Sequence, residues 1–232
     1  MLESLLEEIP RFFSYYNGLF LLQGALTTLL LSAAGVLGGG MIGGALALMR
    51  LGTRPLWLPL RLGAIVYVEA LRRIPFLVTL MLVFFGFRFL RLDLNALLVS
   101  VVAVVLISAA YLAEIVRAGI QSVHRNQWDA ALTMNLSTAA TLRYVVLPQA
   151  SRVIVPPTFA FFLGLIKDTA LASQISVLEL TYAGKLLRTK GFSGTVVYGT
   201  VLLLYFALSY PLARCGGGLE VWLAAHRSRR RD

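Results

Sequence analysis

The amino-acid sequence predicts an all-α membrane protein with about five transmembrane helices and a polar loop between the third and the fourth. Hydrophobic residues make up 58% of the 232 residues and charged residues only 14%, whereas soluble domains carry about 25% charged residues. Three long stretches contain no charged residue at all, and each can hold a span of about 20 residues. They cover residues 12–49, 94–113 and 191–213.

The N-terminal residues 1–18 are predicted to form an interfacial segment ahead of the first span. They are too acidic for the basic start of a signal peptide, since they contain Glu3, Glu7 and Glu8. The first span is predicted at about 20–48. Within it, small residues recur at a spacing that lets two helix backbones approach closely, so we expect helix packing at Gly35, Gly39 and Gly43.

The second span is less regular. The charge-free run 74–87 covers only about 21 Å at 1.5 Å per residue, which is short of a hydrocarbon core of about 30 Å. We expect the helix to extend backward through Arg72 and Arg73, whose long side chains can reach the membrane surface. Pro75 is expected to bend this helix.

Spans three, four and five are predicted at about 94–116, from 153 onward, and at about 195–213. The membrane domain then covers residues 19–215, with the polar loop at about 122–150. Residues 216–232 form a basic tail.

The distribution of positive charge predicts the orientation of the chain. Fourteen of the 21 Lys and Arg residues flank one side of the spans: Arg50, Arg54, Arg61, Arg72, Arg73, Arg117, Arg125, Arg143, Arg152, Arg214, Arg227, Arg229, Arg230 and Arg231. Six lie on the other side: Arg11, Arg88, Arg91, Lys185, Arg188 and Lys190. By the positive-inside rule, the loop and the C-terminus lie in the cytoplasm and the N-terminus lies outside. The net charge of +10 therefore indicates a membrane surface and disfavours nucleic acid as a partner.

The polar loop has the pattern of a helix–turn–helix. Asn126 can cap a first helix, with Asp129 three residues later as the reciprocal half of a capping box. Asn135 is a plausible left-handed stop, because Asn tolerates positive φ. Ser137 can cap a second helix that runs to about Pro148. A short amphipathic helix held outside the bilayer is suited to binding a soluble partner.

The loop also resembles the signature of ABC importer permeases. That motif has Glu-Ala-Ala, a Gly six residues after the Glu, and a hydrophobic-x-Leu-Pro ending that begins ten residues after the Gly. The matching residues are Asp129-Ala130-Ala131, Asn135 and Val145-Val146-Leu147-Pro148. All spacings agree, while Asp replaces Glu and Asn replaces Gly. The flanks, 111–122 and 165–171, resemble the polar amino-acid branch of the family, and the resemblance covers the chain from about Leu22 onward.

The resemblance implies a subunit of an importer rather than an enzyme. Permeases of this family work as pairs, alike or paralogous, with cytoplasmic ATPase subunits and an extracytoplasmic binding protein, in the bacterial inner membrane. It implies that the loop binds an ATPase subunit, through Trp128, Asp129, Ala130, Ala131, Leu132, Asn135, Leu147 and Pro148. We expect Trp128, Ala131 and Leu132 to share one face of the loop helix. The alternative for this face is the lipid interface, where Trp is common.

No residues of this chain are predicted to bind a cofactor. The sequence lacks a G-x-x-x-x-G-K-[ST] loop for ATP phosphates, so ATP and Mg²⁺ are assigned to the partner ATPase. His124 and His226 are isolated and Cys215 is the sole cysteine, so no metal site is expected.

Two charges are predicted inside the membrane. The run 153–166 is too short to cross, so Lys167 and Asp168 lie at membrane depth, where charges face a cavity or one another. Either they form a structural ion pair, or Asp168 faces the path and binds a cationic group of the substrate. In the family, the segment corresponding to Lys167-Asp168-Thr169 lies near the path, which favours the second interpretation.

Glu69 is a further candidate for the substrate path. Its alternative role is an ion pair with Arg72 at i+3 or Arg73 at i+4. Glu114 and Arg117, three residues apart, are predicted to form a structural ion pair.

The substrate is expected to be a polar amino acid. Methionine or another small solute is an alternative within the same class. A secondary transporter driven by an ion gradient is the rival class, but five spans without paired broken helices in matching halves argue against it. A membrane scaffold without transport is a third option, disfavoured by the charges in span four.

Overall fold

The computed structural model describes residues 8–52 and 57–228, with side chains described as far as residue 219. Glu3, Glu7, Arg54 and the basic triplet at 229–231 lie outside these ranges. The long elements are α1 (Tyr15–Leu51), α2 (Leu58–Arg73), α3 (Phe76–Phe89), α4 (Ala96–Gln121), α5 (Arg125–Thr133), α6 (Thr138–Ile175), α7 (Leu180–Thr189) and α8 (Gly194–Ser228).

Four helices in the described part of the chain are long and apolar enough to cross a membrane: α1, α4, α6 and α8. The pair α2 and α3 makes a fifth span if the two are counted together. The predicted all-α fold with about five spans is therefore confirmed. A short helical stretch at 8–12 precedes α1, and α8 continues beyond its apolar part, Gly194–Leu219, to Ser228.

Span two differs from the prediction of one bent helix. The chain leaves the helix after Arg73 and starts a new one at Phe76, and the two axes differ by 114°. Ile74 is extended at φ −90° and ψ 133°, because the ring of Pro75 excludes helical geometry from the residue before it. Pro75 also has no N–H to continue the helical hydrogen bonds. The result is a sharp break, and it places the two arginines at a corner.

The close packing predicted for the first span is confirmed. The glycines of α1 lie against α4 so tightly that a Cβ atom built on Gly43 would lie 2.8 Å from the carbonyl oxygen of Ala109 and 2.8 Å from the amide nitrogen of Ala113. Cβ atoms built on Gly39 and Gly35 would lie closer still, against Ser108 and Val104 respectively. Since backbone atoms cannot move aside as a side chain can, α1 and α4 form a rigid pair at the centre of the fold.

This contact predicts a difference between two adjacent glycines. Gly43→Ala is expected to cost about 1–3 kcal/mol of stability, because the new methyl group meets the backbone of α4. Gly44→Ala is the matched control, since no atom lies within 4 Å of its built Cβ and Ala favours a helix. Melting temperatures of the two variants in detergent measure the difference. Equal melting temperatures would contradict the close contact.

The second loop helix and span four are one element, which differs from the prediction that the loop helix ends near Pro148. Helix α6 begins with a turn at Thr138–Ala140, widens to a π-helical stretch at Thr141–Val146, continues as an α-helix over Leu147–Asp168 and ends as a 3₁₀ stretch, Thr169–Ile175. The Leu147 amide donates to the Leu142 carbonyl five residues back. Pro148 explains the wider spacing, since its ring opposes regular helical bonding to the preceding turn.

Helix α7 was not predicted. Its Leu180, Ala183 and Leu187 are buried, which is the spacing of one helix face. Glu179 caps it, accepting hydrogen bonds from the amides of Thr181 (2.8 Å) and Tyr182 (2.6 Å).

Candidate functional site

Asp168 lies in the wall of a cavity of about 490 Å³ beside the break between α2 and α3. Arginine side chains from the end of α2 line the same cavity, and α3, α4 and α6 supply the remaining walls. The lining includes Arg72, Arg73, Pro75, Tyr111, Phe161 and Asp168. The cavity therefore combines one carboxylate with two guanidinium groups, a set that can bind a ligand of either or both charges.

The apolar wall of this cavity is aromatic. The rings of Tyr111 and Phe161 are stacked, with centroids 5.4 Å apart and planes at 21°. The Arg72 guanidinium lies 5.9 Å from the Tyr111 ring centroid, a cation–π distance that holds the arginine at the cavity wall. Arg72, Tyr111 and Phe161 were not predicted as site residues from the sequence.

Asp168 has no ion-pair partner within 4 Å among the described residues. Lys167 is exposed but does not line the cavity, because adjacent residues on a helix point about 100° apart. Thr169 is buried, and its hydroxyl donates to the Ile166 carbonyl at 2.8 Å. Of the predicted path residues in this segment, only Asp168 reaches the cavity.

Glu69 belongs to a charge network near the α2–α3 corner instead of lining the cavity. Its carboxylate oxygens lie 3.5 Å from Nη2 of Arg50 and 3.0 Å from Nη2 of Arg73. The i+4 ion pair of the sequence analysis is therefore present, whereas Arg72 points to Glu114 instead, at 3.7 Å.

Glu114 is the centre of this network. It lies 2.8 Å from Nη1 of Arg50, and it accepts a 3.1 Å hydrogen bond from Nε of Arg117, so the predicted pair with Arg117 is confirmed. The Arg50 side chain is only 11% exposed. The network joins the ends of α1, α2 and α4 on the side that leads into the loop.

The loop has the predicted turn but a different first cap. Asn135 adopts a left-handed conformation at φ 56°, and the Ser137 hydroxyl accepts from the Ala140 amide at 3.3 Å, as the sequence predicts. Asn126 is not the cap of α5, because His124 occupies that position and its Nδ1 accepts from the Asn126 amide at 3.2 Å. Asp129 does not complete a capping box; it lies 4.0 Å from Nε of Arg125.

The three residues predicted to share one face of the loop helix, Trp128, Ala131 and Leu132, differ in burial. Ala131 is 2% exposed and Trp128 packs on a cluster formed by Ile120, Val123, Val146 and Ala150. Leu132 is 65% exposed, and Met134, which directly follows α5, is 72% exposed. Residues 128, 131 and 132 lie within about 100° of one another around the helix, so Trp128 and Ala131 form the covered part of this face and Leu132 its exposed edge. Asp129, Ala130, Leu147 and Pro148 are exposed.

Curated relatives cover most of the chain. A probable amino-acid ABC transporter permease of Bacillus subtilis (strain 168) is 35% identical over 189 residues, which is 82% of each chain. The glutamine transport system permease of Escherichia coli (strain K12) is 34% identical over 197 residues, covering 83% of this chain and 88% of the relative.

Solved structures share the fold. An amino acid ABC transporter crystallised with histidines matches with a TM-score of 0.82 and 28% identity, over 93% of this chain and 97% of the other. The MetNI methionine ABC transporter in an inward-facing conformation matches with a TM-score of 0.76 over 90% and 99%, and its 21% identity supports the fold alone. Residues 58–212 match the family described as the binding-protein-dependent transport system inner membrane component. Since this match spans the α2–α3 corner, the cavity and the loop helix, the chain belongs to that family of multi-pass inner-membrane transport subunits.

Proposed function

We propose that this chain forms the translocation path of an ATP-driven importer for a polar amino acid. It pairs with a second permease subunit, identical or paralogous. ATPase subunits that bind ATP and Mg²⁺ act from the cytoplasm, and an extracytoplasmic binding protein delivers the substrate. The names of the relatives from Bacillus subtilis and Escherichia coli, an amino-acid permease and a glutamine permease, support this substrate class.

The cavity at Asp168 is the observation that carries the proposal. An amino acid is a zwitterion, and its ammonium group needs an anion while its carboxylate needs a cation. Asp168 supplies the anion and Arg72 or Arg73 the cation, in one cavity. Charge-assisted hydrogen bonds of this kind are roughly twice as strong as hydrogen bonds between neutral groups. The stacked rings of Tyr111 and Phe161 offer contact to the substrate side chain.

The loop helix α5 transmits the energy. Its Trp128 packs on Ile120 at the end of α4 and on Val146 and Ala150 of α6, and both of these helices line the Asp168 cavity. When the ATPase subunits close, α5 moves with them and shifts α4 and α6, which switches the path from inward-facing to outward-facing.

The proposed membrane topology has the loop and the C-terminus in the cytoplasm and the N-terminus outside. The bias of fourteen basic residues against six supports it.

The test uses the complete transporter, purified with its ATPase, second permease and binding protein and reconstituted in vesicles. Each of the twenty labelled amino acids is offered on the side of the binding protein. A cysteine at Gln127, introduced into a Cys215→Ser background, reports by its reaction with an impermeant maleimide which side of the vesicle the loop faces. Uptake of at least one polar amino acid is expected only when ATP is on that side. Uptake driven by an ion gradient without ATP, or uptake with ATP on the opposite side only, would contradict the proposal. Methionine as the best substrate would revise the substrate class and keep the rest.

A further inference from the structure

A second cavity of about 560 Å³ lies at the far end of α3 from Asp168. Its walls come from the end of α3, the start of α4 and the 3₁₀ stretch that ends α6. Because α4 runs from this cavity to the loop, the cavity lies on the side opposite the loop helix. In the orientation proposed above this is the outer side, and we name it the outer cavity. Its polar lining consists of Arg88, Asp93, Asn95, Gln174 and Ser176.

Two opposite charges in the outer cavity do not neutralise each other. In the ranges that the structure describes, neither Arg88 nor Asp93 makes an ion pair within 4 Å. The Arg88 guanidinium instead lies 4.9 Å from the ring centroid of Phe84. Asn95 caps the start of α4, where its Oδ1 accepts a hydrogen bond from the Leu98 amide at 2.7 Å. Arg88 and Asp93 are therefore both available to a ligand that carries one group of each sign.

The rest of the outer cavity is apolar and aromatic, with Met81, Phe84, Phe85 and Phe87 in its lining. A wall of large apolar side chains with a few convergent polar groups is the usual composition of a small-molecule site. This arrangement suits a small zwitterion with a variable side chain: Arg88 and Asp93 bind the parts common to all amino acids, and the aromatic wall accepts the side chain.

The outer cavity and the Asp168 cavity lie along the same helix. Phe76 lines the cavity at Asp168 and Arg88 lines the outer one, so twelve residues of α3, about 18 Å, separate them. Between them lies an apolar cluster that includes Leu80, Ala103 and Ala172, all fully buried. A substrate in the outer cavity is thus held apart from the Asp168 cavity by a dry apolar layer.

We infer that the outer cavity is a waiting site for the amino acid on its way to Asp168, with the substrate carboxylate on Arg88 and its ammonium group on Asp93. This inference rests on the proposed function, because only an amino-acid cargo gives the cavity its ligand. Substrate released from the binding protein occupies the outer cavity first and crosses the apolar layer when the helices rearrange.

The experiment measures protection of a reporter cysteine in the assembled transporter in vesicles. Cys215→Ser removes the native thiol, and Gln174→Cys places a reporter in the outer cavity wall. The probe is the labelled amino acid that the wild-type transporter imports fastest, added at millimolar concentration without the binding protein. It is expected to slow maleimide labelling several-fold. Arg88→Gln and Asp93→Asn are each expected to raise the amino-acid concentration needed for protection about tenfold or more, because each removes a charge-assisted contact.

Two variants make the result specific. Arg88→Lys keeps the charge and is expected to retain much of the protection. Arg91→Gln removes an exposed arginine that does not line the cavity, and protection is expected to equal that of the parent. Melting temperatures confirm that each variant is folded.

Three results would overturn the inference: no protection by the probe, protection unaffected by both Arg88→Gln and Asp93→Asn, or protection that only the binding protein provides, which would make this surface a docking site. If no amino acid is imported at all, the proposed function fails, and the waiting site with it. If uptake is normal and protection is absent, the waiting site fails alone.

Discussion

Replacing Asp168 with Asn is expected to weaken substrate affinity by about 10- to 150-fold while leaving the amount of transporter in the membrane near normal. The side chain lines the cavity and has no cationic partner within 4 Å among the described residues. Its charge is therefore available to the substrate ammonium group. The Asn side chain has nearly the same shape, so the substitution removes the charge without opening a hole. A hydrogen bond to a charged group contributes about 1.5–3 kcal/mol, which gives the stated range of affinity.

Uptake kinetics and membrane abundance have to be measured together for Asp168→Asn, because a structural role predicts the reverse pattern. In that case abundance falls and the surviving transporter keeps its affinity. Lys167→Gln is the neighbouring comparison, since this side chain lies outside the cavity lining and its loss is expected to change affinity by less than about threefold. An unchanged affinity in Asp168→Asn, or a larger loss in Lys167→Gln, would remove Asp168 from the substrate site.

The spans could be predicted from the sequence because charge is costly inside a bilayer. Every uncharged stretch long enough to cross became a helix. The left-handed turn at Asn135 and the helix cap at Ser137 were also predicted correctly, because one residue decides the geometry at each position. Pro75 was recognised, but the angle of the break was not, since the 114° corner depends on which helices receive α2 and α3.

The substrate cavity could not be predicted in the same way. Its walls combine residues from four helices, α2, α3, α4 and α6, and Arg72 was expected at the membrane surface because its partners could not be read from the sequence. The Tyr111 ring and Glu114, both on α4, hold it at the corner. By spacing alone, Glu69 could pair with Arg72 or Arg73. It pairs with Arg73, and it also lies 3.5 Å from Arg50, which is on another helix.

Helix α7 and the covered side of α5 were not predicted from the sequence, for two different reasons. The buried positions of α7 have helical spacing, so this short helix between spans four and five could have been predicted from the sequence. For α5, the resemblance identified the loop but not which side of the helix is already covered. On that side Trp128 packs on a cluster that includes residues of α4 and α6, and Ala131 is buried. These contacts exist only in the folded chain.

The exposed face of α5 yields the second large prediction. Leu132 of α5 is 65% exposed, and Met134, which directly follows α5, is 72% exposed, although the loop around them is polar. If an ATPase subunit covers this face, burial of Leu132 contributes about 1.5–3 kcal/mol to assembly. Leu132→Glu is therefore expected to weaken binding of the ATPase subunit at least tenfold and to abolish most ATP-driven uptake. The permease itself stays folded, because the side chain makes no buried contact within it.

Two further variants separate docking from folding. Leu132→Met keeps an apolar side chain of similar volume and is expected to retain the ATPase. Ala131→Arg places a charge where the native residue is 2% exposed, so it is expected to lower the amount of folded permease before any effect on assembly appears. Copurification of the ATPase with the permease, the melting temperature of the permease alone and uptake in vesicles are measured for all three. If Leu132→Glu keeps the ATPase at wild-type affinity, this face of α5 is not the docking surface, and Leu132 and Met134 instead lie against lipid head groups, where apolar side chains at the membrane edge are stable.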